Sequence, residues 1–542
     1  MKLSKINNRI KLEFQYDPLV VSAVKSIPGA CFYKDPLETY WTIPVKSLRA
    51  AVKILGLTPG HLYPDLAQYI PKFSGVTAEI KNDKVKLQGA NLDLLIKSLD
   101  SLCEVEYQSQ REIVTQVLGK LIYHKNNIAV YKFPPGLKQR ITDFLTQAGI
   151  SFREHLQEPP ARKYDFPMNV QGRPYQIRTV EDIVSKKISR ATLVMATGAG
   201  KTILSAMIAA RLGVDTIFFT YSSDLLEQTV EAYKKVFPGC HIGQISAGKF
   251  DIQPITVAMI QTVYSCMTRK DERWDILSGY LEDVDLMIID EGHMLGAETI
   301  YAVAQQTNPY YAFALTATPF REDGKELYIE AATGMNWEVV SEEELIRGGY
   351  ILPVKVEVVP VIHKKYKSSN YPTIYRNCIV NNKKRHEIIC QVVEQYKDRK
   401  TLILVKEIAH GEALSKITGA TFIHGESKNR REVIQAFMDG GINVLIATSI
   451  LKQGIDLPDA EVLILAHGGS SQVELLQKVG RIRRPYPGQS CGIVVDFLDY
   501  SPGHSNDILQ SQYFKRLALY KRHKFDVLDT PEIPQVVGQT VN

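Results

Sequence analysis

Apolar residues along this 542-residue chain fall into two regimes. From Tyr175 onward, short apolar runs rich in β-branched residues alternate with longer stretches of helical period. LVMA (193–196), TIFFT (216–220), ITVAM (255–259), VDLMIID (284–290) and FALT (313–316) form one set. TLILV (401–405), NVLIA (443–447), EVLILA (461–466) and CGIVVD (491–496) form a second. Runs that are apolar on both faces and separated by helices are the pattern of parallel sheets covered by helices. Two sets predict two α/β domains in series, with the polar, irregular segment from Phe320 to Asn382 as the passage between them.

Upstream, Lys2 to about Leu156 mixes short alternating segments with amphipathic helices, and the Pro-containing polar stretch 158–174 reads as a linker. The predicted layout is an α+β region at 1–157, the linker, α/β domains at 175–345 and 346–502, and a C-terminal helix and tail at 503–542. Within the first region, 14–44 reads as a strand, a helix capped by Asp17 with Pro18 at its first position, and a hairpin carrying Phe32, Tyr33 and Trp41. A similar helical pattern returns at 92–102 and 137–145.

Composition narrows this picture only modestly. The formal charge of +6 fits a polyanionic partner and fits a solvated basic surface equally well. Seven dispersed cysteines without a C-x-x-C predict reduced thiols and no structural zinc. The N-terminus lacks a signal-like apolar run, and no apolar stretch reaches the ~18 residues that span a bilayer. The expected setting is a cytoplasm (a host cytoplasm if the source is viral), with no membrane partner.

Chemistry enters at ATGAGKT (196–202), between the run LVMA and the helical ILSAMIAARL. Glycines there let backbone N–H groups face phosphate oxygens, Lys201 supplies a point charge to the β/γ-phosphates, and the Thr202 hydroxyl can ligate Mg²⁺. Thr197, Gly198, Ala199 and Gly200 complete the cradle. The full Walker pattern asks for Gly at 195, where this chain has Met. DEGH (290–293) closes another run: Asp290 can hold Mg²⁺ and Glu291 can polarise the attacking water, so ATP and Mg²⁺ are the expected cofactors.

The order of motifs over roughly 170–500 resembles the superfamily 2 helicases, with two RecA-like domains in tandem. In that resemblance GRPYQ (172–176) corresponds to the glutamine motif, with Gln176 reading adenine. LTATP (315–319), with Thr316 and Thr318, corresponds to the coupling motif, and His293 links it to the nucleotide site. ATSILKQGIDLP (447–458) implies Thr448 on nucleic-acid phosphate and Gly454 and Asp456 near the nucleotide. QKVGRIRR (477–484) implies coupling by Gln477 and arginine fingers Arg481 and Arg484. Fingers of this kind contribute on the order of 10³–10⁵ in rate, and placing them on the second domain makes hydrolysis depend on closure. Tyr221–Leu225, Gln261, Thr262 and His424 follow strands and are candidate phosphate contacts.

REDGKE (321–326) and GGYILPVKVEVV (348–359) resemble the XPB-like branch, which includes phage UvsW-type branch-migration helicases. That branch implies Arg321 beside DNA. The 14–44 segment resembles the HARP-type module of DNA-annealing translocases. The resemblance implies an ATP-dependent helicase acting on forked or junction DNA in recombination, repair or replication, with no tightly bound metal beyond Mg-ATP. A duplex translocase that leaves strands paired, an RNA helicase and the motor subunit of a restriction-type complex remain alternatives. The last would need partner chains, since no nuclease or methyltransferase motif stands out.

Overall fold

The computed structural model describes residues 2–6, 9–13, 24, 31–34, 39–44, 73, 75–90, 92–109, 112–291, 297–317, 325–364, 366, 370–448, 458–469, 471–486, 488–502 and 507–528. The chain divides into two compact units, 1–159 with 322–335, and 160–321 with 336–542.

The first unit is α+β. Strands β1 (Lys2–Ile6), β2 (Arg9–Glu13), β3 (Cys31–Lys34) and β4 (Thr39–Pro44) make an antiparallel sheet in the order β1-β2-β4-β3. The proposed cap at Asp17 and Pro18 lies outside the described residues. A second sheet is built from β5 (Thr77–Lys81), β6 (Lys84–Gln88), β9 (Lys120–Lys125), β10 (Ile128–Lys132) and β11 (Ser151–His155). Strands β5 and β6 alternate exposed and buried side chains, as expected for a sheet with one face on a core. Helices Leu92–Leu102 and Lys138–Gln147 carry buried apolar stripes, including Leu95 and Leu99 on one and Ile141 and Leu145 on the other. Strands β7 (Glu104–Ser109) and β8 (Glu112–Val117) form a separate ribbon.

The 322–335 excursion of this unit contains a helix, Glu326–Thr333. The sequence pattern placed it in the first α/β domain, within an irregular passage. Tyr328, Ala331, Ala332 and Thr333 are buried, the Tyr328 hydroxyl donates to Gln116 Oε1 at 2.6 Å, and Arg140 forks onto Glu330 with Nε–Oε1 at 3.0 Å. Gly136 lies so close that a Cβ there would stand 2.0 Å from the Glu330 carbonyl oxygen.

The second unit holds two parallel sheets. Strands β12 (Arg190–Val194), β13 (Thr216–Thr220), β14 (Gly243–Ser246), β15 (Lys249–Asp251), β16 (Ile255–Met259), β17 (Leu286–Asp290), β18 (Tyr311–Thr316) and β19 (Asn336–Glu338) form the first lobe. Their order is β15-β14-β16-β13-β17-β18-β12-β19, parallel except at the β14–β15 edge. Strands β20 (Val354–Ile362), β21 (Thr401–Val405), β22 (Thr421–Ile423), β23 (Val444–Thr448), β24 (Val462–Leu465), β25 (Gly492–Tyr500) and β26 (Asp526–Leu528) form the second lobe. All its pairings are parallel, in the order β22-β23-β21-β24-β25-β20-β26. These are the two α/β lobes in series that the apolar runs predict. TIFFT, ITVAM and TLILV match β13, β16 and β21 residue for residue.

Two local expectations need correction. The passage after Phe320 is not irregular throughout: besides the 326–333 helix it contains β19, the helix Glu342–Arg347 and β20. The 158–174 stretch is not a free linker either. Lys163 Nζ bridges Asp215 and Asp285 at 2.8 and 2.7 Å, the Lys163 and Tyr164 amides donate to the Gly213 carbonyl, and Phe166 is buried in the first lobe's core. Those contacts exist because a Pro-rich polar string still carries aromatic and cationic side chains that a lobe surface can satisfy. No helix among the described residues is long and apolar enough to cross a membrane.

Candidate active site

In the first lobe, the carboxyl ends of three adjacent strands meet in register. Val194 of β12 faces Thr316 of β18, and Asp290 of β17 faces Leu315. Such edges of open parallel sheets are where α/β proteins bind ligands. The loop after β12 turns through Gly198 (φ +86°) and Gly200 (φ +81°) into the helix Lys201–Leu212. Gly200 is needed twice over, since a Cβ there would stand 2.8 Å from Gln176 Nε2.

Lys201, the first residue of that helix, is ion-paired with Glu291, both side chains mostly buried. Glu291 itself sits at φ +45°, a region costly for a side-chain-bearing residue and common at functional sites. Its amide donates to the Leu315 carbonyl at 2.9 Å, which ties the acidic loop to the neighbouring strand. Thr316 is buried, and its carbonyl accepts from the Met195 amide at 2.9 Å. The structure therefore gathers Lys201, Thr202, Asp290, Glu291 and Thr316 on one sheet edge. A cation, a hydroxyl, two carboxylates and a helix N-terminus form a donor set that fits a magnesium–triphosphate group.

Gln176, the expected adenine reader, lies against the loop itself. It is 1% exposed, accepts from the Arg173 amide at 2.8 Å, and donates to the Gly200 carbonyl at 3.0 Å. Both ends of the amide are engaged, so it braces the loop. Two residues the sequence reading missed do the same. The Tyr175 hydroxyl donates to the Ala199 carbonyl, and Arg173 lies 3.4 Å from the Gly198 carbonyl and stacks over Tyr350 at 4.6 Å. The signal was the motif's own RPY, but nothing in it says that side chains at the start of this helix reach forward to a loop over twenty residues away.

The second lobe reaches the loop through the 477–484 segment. A Cβ on Gly480 would lie 2.5 Å from the Thr197 side chain, so glycine here permits a close approach. Arg481 is half-buried in the 3-10 turn Gly480–Ile482, and Gln477 is half-buried on the preceding helix. Arg484 is held within its own lobe by Asp459, Nη1–Oδ2 2.7 Å. Arg483, which the motif did not single out, is 5% exposed and bonds to Glu342 at 3.0 Å.

The candidate track contacts are more mixed. Gln261 is exposed and its amide donates to the Tyr221 carbonyl at 3.0 Å; Thr262 is half-buried beside it. Ser222 caps the Ser223–Val236 helix. Burial and the neighbouring Glu227 push the Asp224 carboxyl on that helix up, while the charges of Arg431 and Arg430 pull it down. His424 is half-buried after β22. Thr448 is 1% exposed at the end of β23, so its hydroxyl is not on a surface in this state. His293, Thr318, Arg321, Gly454 and Asp456 lie outside the described residues.

Comparison with known sequences agrees with this layout in both lobes. Residues 169–321 match the family described as type III restriction enzyme, res subunit, and residues 384–485 match the helicase conserved C-terminal domain. The two lobes thus carry a pair of helicase-type matches and are similar to the superfamily 2 helicases. XPB-like and Rad25-like proteins stand among its individual relatives. A putative DNA 3'-5' helicase Rad25 from Halobacterium salinarum is 28% identical over 359 residues, 63% of this chain and 57% of that protein. The DNA 3'-5' translocase XPB2 of Sulfurisphaera tokodaii is 26% identical over 367 residues, 59% of this chain and 80% of the relative. Putative helicase 22 of a Sulfolobus islandicus filamentous virus is 25% identical over 391 residues, 66% and 68% of the two chains. The matched portion thus covers between about half and four-fifths of the relatives' lengths.

Proposed function

We propose that this chain is an ATP-dependent DNA helicase or translocase that works on forked or junction DNA. The observation that carries the motor reading is the approach of Gly480 to Thr197, which brings the arginine segment of one lobe onto the phosphate loop of the other. The relatives' names supply the nucleic acid: two are described as acting in the 3'-5' direction on DNA.

A bound magnesium–nucleotide would supply the scissile phosphoanhydride. Lys201 is proposed to bind its phosphates, with Thr202 and Asp290 holding the metal. Glu291, released from Lys201 once phosphate competes for that cation, would orient the attacking water. Arg481, beside Gly480, is proposed to reach the phosphates, and Arg484 would have to exchange Asp459 for phosphate as the lobes close. Thr197, Gly198, Ala199 and Gly200 line the phosphates, and Gln176 keeps their backbone in position. The phosphate-directed loops, with Gln261, Thr262, Arg321, His424 and Thr448 as candidates, would grip DNA without reading sequence. Gly454 and Asp456 are proposed near the nucleotide, and His293, Thr318 and Gln477 as couplers. The N-terminal unit, with the aromatic strands β3 and β4, is proposed to supply preference for branched substrates.

Testing this means measuring ATP-dependent processing of synthetic forks and four-way junctions beside a tailed duplex and an RNA duplex. Strand separation or branch migration on the branched DNAs is expected, with little turnover on RNA. Equal activity on RNA would overturn the DNA assignment. A second reading has its own support, because the first-lobe family carries a restriction-enzyme description. It predicts dependence on one recognition sequence and on partner chains, and DNA-stimulated turnover by the isolated chain on unrelated sequences would remove it.

A further inference from the structure

Between β19 and β20 runs the short helix Glu342–Arg347, whose first turn carries three glutamates. Its own lobe holds it firmly: Leu345 and, beyond it, Ile351 are buried in the first lobe's core, and the Ser341 side chain accepts from the Glu344 amide at 3.2 Å. Each glutamate meets a cation from another element. Glu344 pairs with Arg178 at 3.2 Å, on the same helix as Gln176. Glu343 pairs with Lys524 at 2.6 Å. Glu342 uses both oxygens, Oε2 on Arg483 Nη1 and Oε1 on His523 Nδ1, each at 3.0 Å. Arg483, His523 and Lys524 all belong to the second lobe.

These contacts differ in weight. The Arg178 and Lys524 pairs are exposed, and such pairs contribute little. The Arg483–Glu342 pair is different, because the guanidinium side chain is only 6% exposed. Arg483 is also locked by backbone. Its Nε donates to the Leu352 carbonyl at 3.2 Å, the Leu352 amide donates to the Arg483 carbonyl at 2.7 Å, and the guanidinium lies over the Phe525 ring at 5.6 Å. Leu352 is in the passage that joins the two lobes. One arginine therefore grips the joining peptide and the first-lobe carboxylate together, between the two positions proposed as fingers.

We propose that Glu342 is a positioning residue for hydrolysis: through Arg483 it sets where the 481–484 segment stands against the phosphate loop. The inference rests on the motor reading above. Glu342 bonds Arg483 and His523 rather than the phosphate loop. Its effect runs through the peptide that carries Arg481 and Arg484, and small misplacements of such groups are costly in rate. Breaking the Glu342–Arg483 contact leaves Arg481 and Arg484 intact but loosens the frame that aims them.

The test uses the full chain with Glu342→Gln, Arg483→Gln and the double variant. Each single change is expected to lower kcat for DNA-stimulated ATP hydrolysis about tenfold with KM for ATP within about twofold. The double variant should be no slower than the slower single, because both remove one contact. Independent effects that multiply to about a hundredfold would overturn the proposal, as would a lowered melting temperature with unchanged kcat. Glu342→Gln is nearly isosteric, and Arg483→Lys, which keeps the charge but loses the fork, offers a second variant if Arg483→Gln fails to fold. Compaction on addition of Mg-ADP with beryllium fluoride, read by small-angle scattering, needs no turnover. A parent chain that compacts but does not hydrolyse ATP would sink the motor reading, with the inference still judged by the weaker compaction expected of Glu342→Gln. A parent that hydrolyses ATP while Glu342→Gln matches it in both readouts would sink the inference alone.

Discussion

Cutting the chain at Pro160 looks, from sequence, like a clean way to isolate the motor, and the structure predicts that it fails. The helix Glu326–Thr333 is part of the unit formed by 1–159, although it is encoded between β18 and β19 of the first lobe. A fragment starting at 160 keeps that helix and loses its partners. Tyr328 is 1% exposed, and with Ala331 and Ala332 it would bring about 150–200 Å² of apolar surface into water, about 4–5 kcal/mol at ~25 cal/mol per Å². The Arg140–Glu330 fork and the Tyr328–Gln116 hydrogen bond add about 1–2 kcal/mol, kept small because the arginine is partly solvated. These are upper figures, but they are a large part of an ordinary domain's stability. The 160–542 fragment should be aggregation-prone or lose ATPase activity. A fragment that also replaces 322–335 with a short Gly/Ser bridge should regain solubility and a cooperative melt. In the full chain, Tyr328→Ala should destabilise by about 3–5 kcal/mol and Tyr328→Phe by about 1 kcal/mol. Thermal melting, ATP turnover and limited proteolysis of the four proteins are the measurements. A plain 160–542 fragment that melts like the parent motor and hydrolyses ATP at the same rate would refute the reasoning.

Lys201→Ala should abolish ATP hydrolysis through lost phosphate binding, whereas Glu291→Gln should keep nucleotide binding and block turnover, as read by fluorescent-nucleotide titration beside a phosphate-release assay; near-normal turnover in the latter would displace Glu291 as the water-orienting group. Arg484→Ala should bind ATP almost normally and hydrolyse it at least tenfold more slowly, and full activity would show that Asp459 never releases it. Gly480→Ala should slow hydrolysis by pushing the arginine segment off Thr197, with partial recovery in a Thr197→Ser background that removes the nearest methyl, so a Gly480→Ala protein with parental kcat would contradict the close approach. His410 is fully buried, its pKa lowered to about 2 by burial and then by the charges of Arg385 and His386, while the unfolded chain takes up that proton near 6.5. Its contribution is therefore complete above about pH 6.5 and drains away below it, by up to about 1.4 kcal/mol per pH unit. Melting curves at pH 7.5 and 5.5 should show a smaller acid loss for His410→Leu than for the parent, and equal losses would assign the acid sensitivity elsewhere.

Local chemistry was written in the sequence. Parallel strands buried on both faces must be apolar runs, so both lobes were legible from TIFFT, ITVAM, TLILV and their companions. A run of glycines before a lysine and a helical period must turn sharply, so the loop's shape was legible too. Contacts between distant segments were not. The amide of Gln176 suits a base, and only folding shows that it also bonds the Arg173 amide and the Gly200 carbonyl. Thr448 was a candidate phosphate contact because of its motif, and its burial at the end of β23 depends on what covers the strand's end. Arg483 hid between two better-known positions because its partner, Glu342, lies 141 residues away. The polar, broken pattern around 320–335 read as passage because a short helix that finds its apolar partners in another unit carries too little period to announce itself. Sequence determined which elements form, since each answers to its own residues; the tertiary structure decided which elements share a core and which cation meets which carboxylate, because those choices depend on surfaces brought together only after the chain has folded.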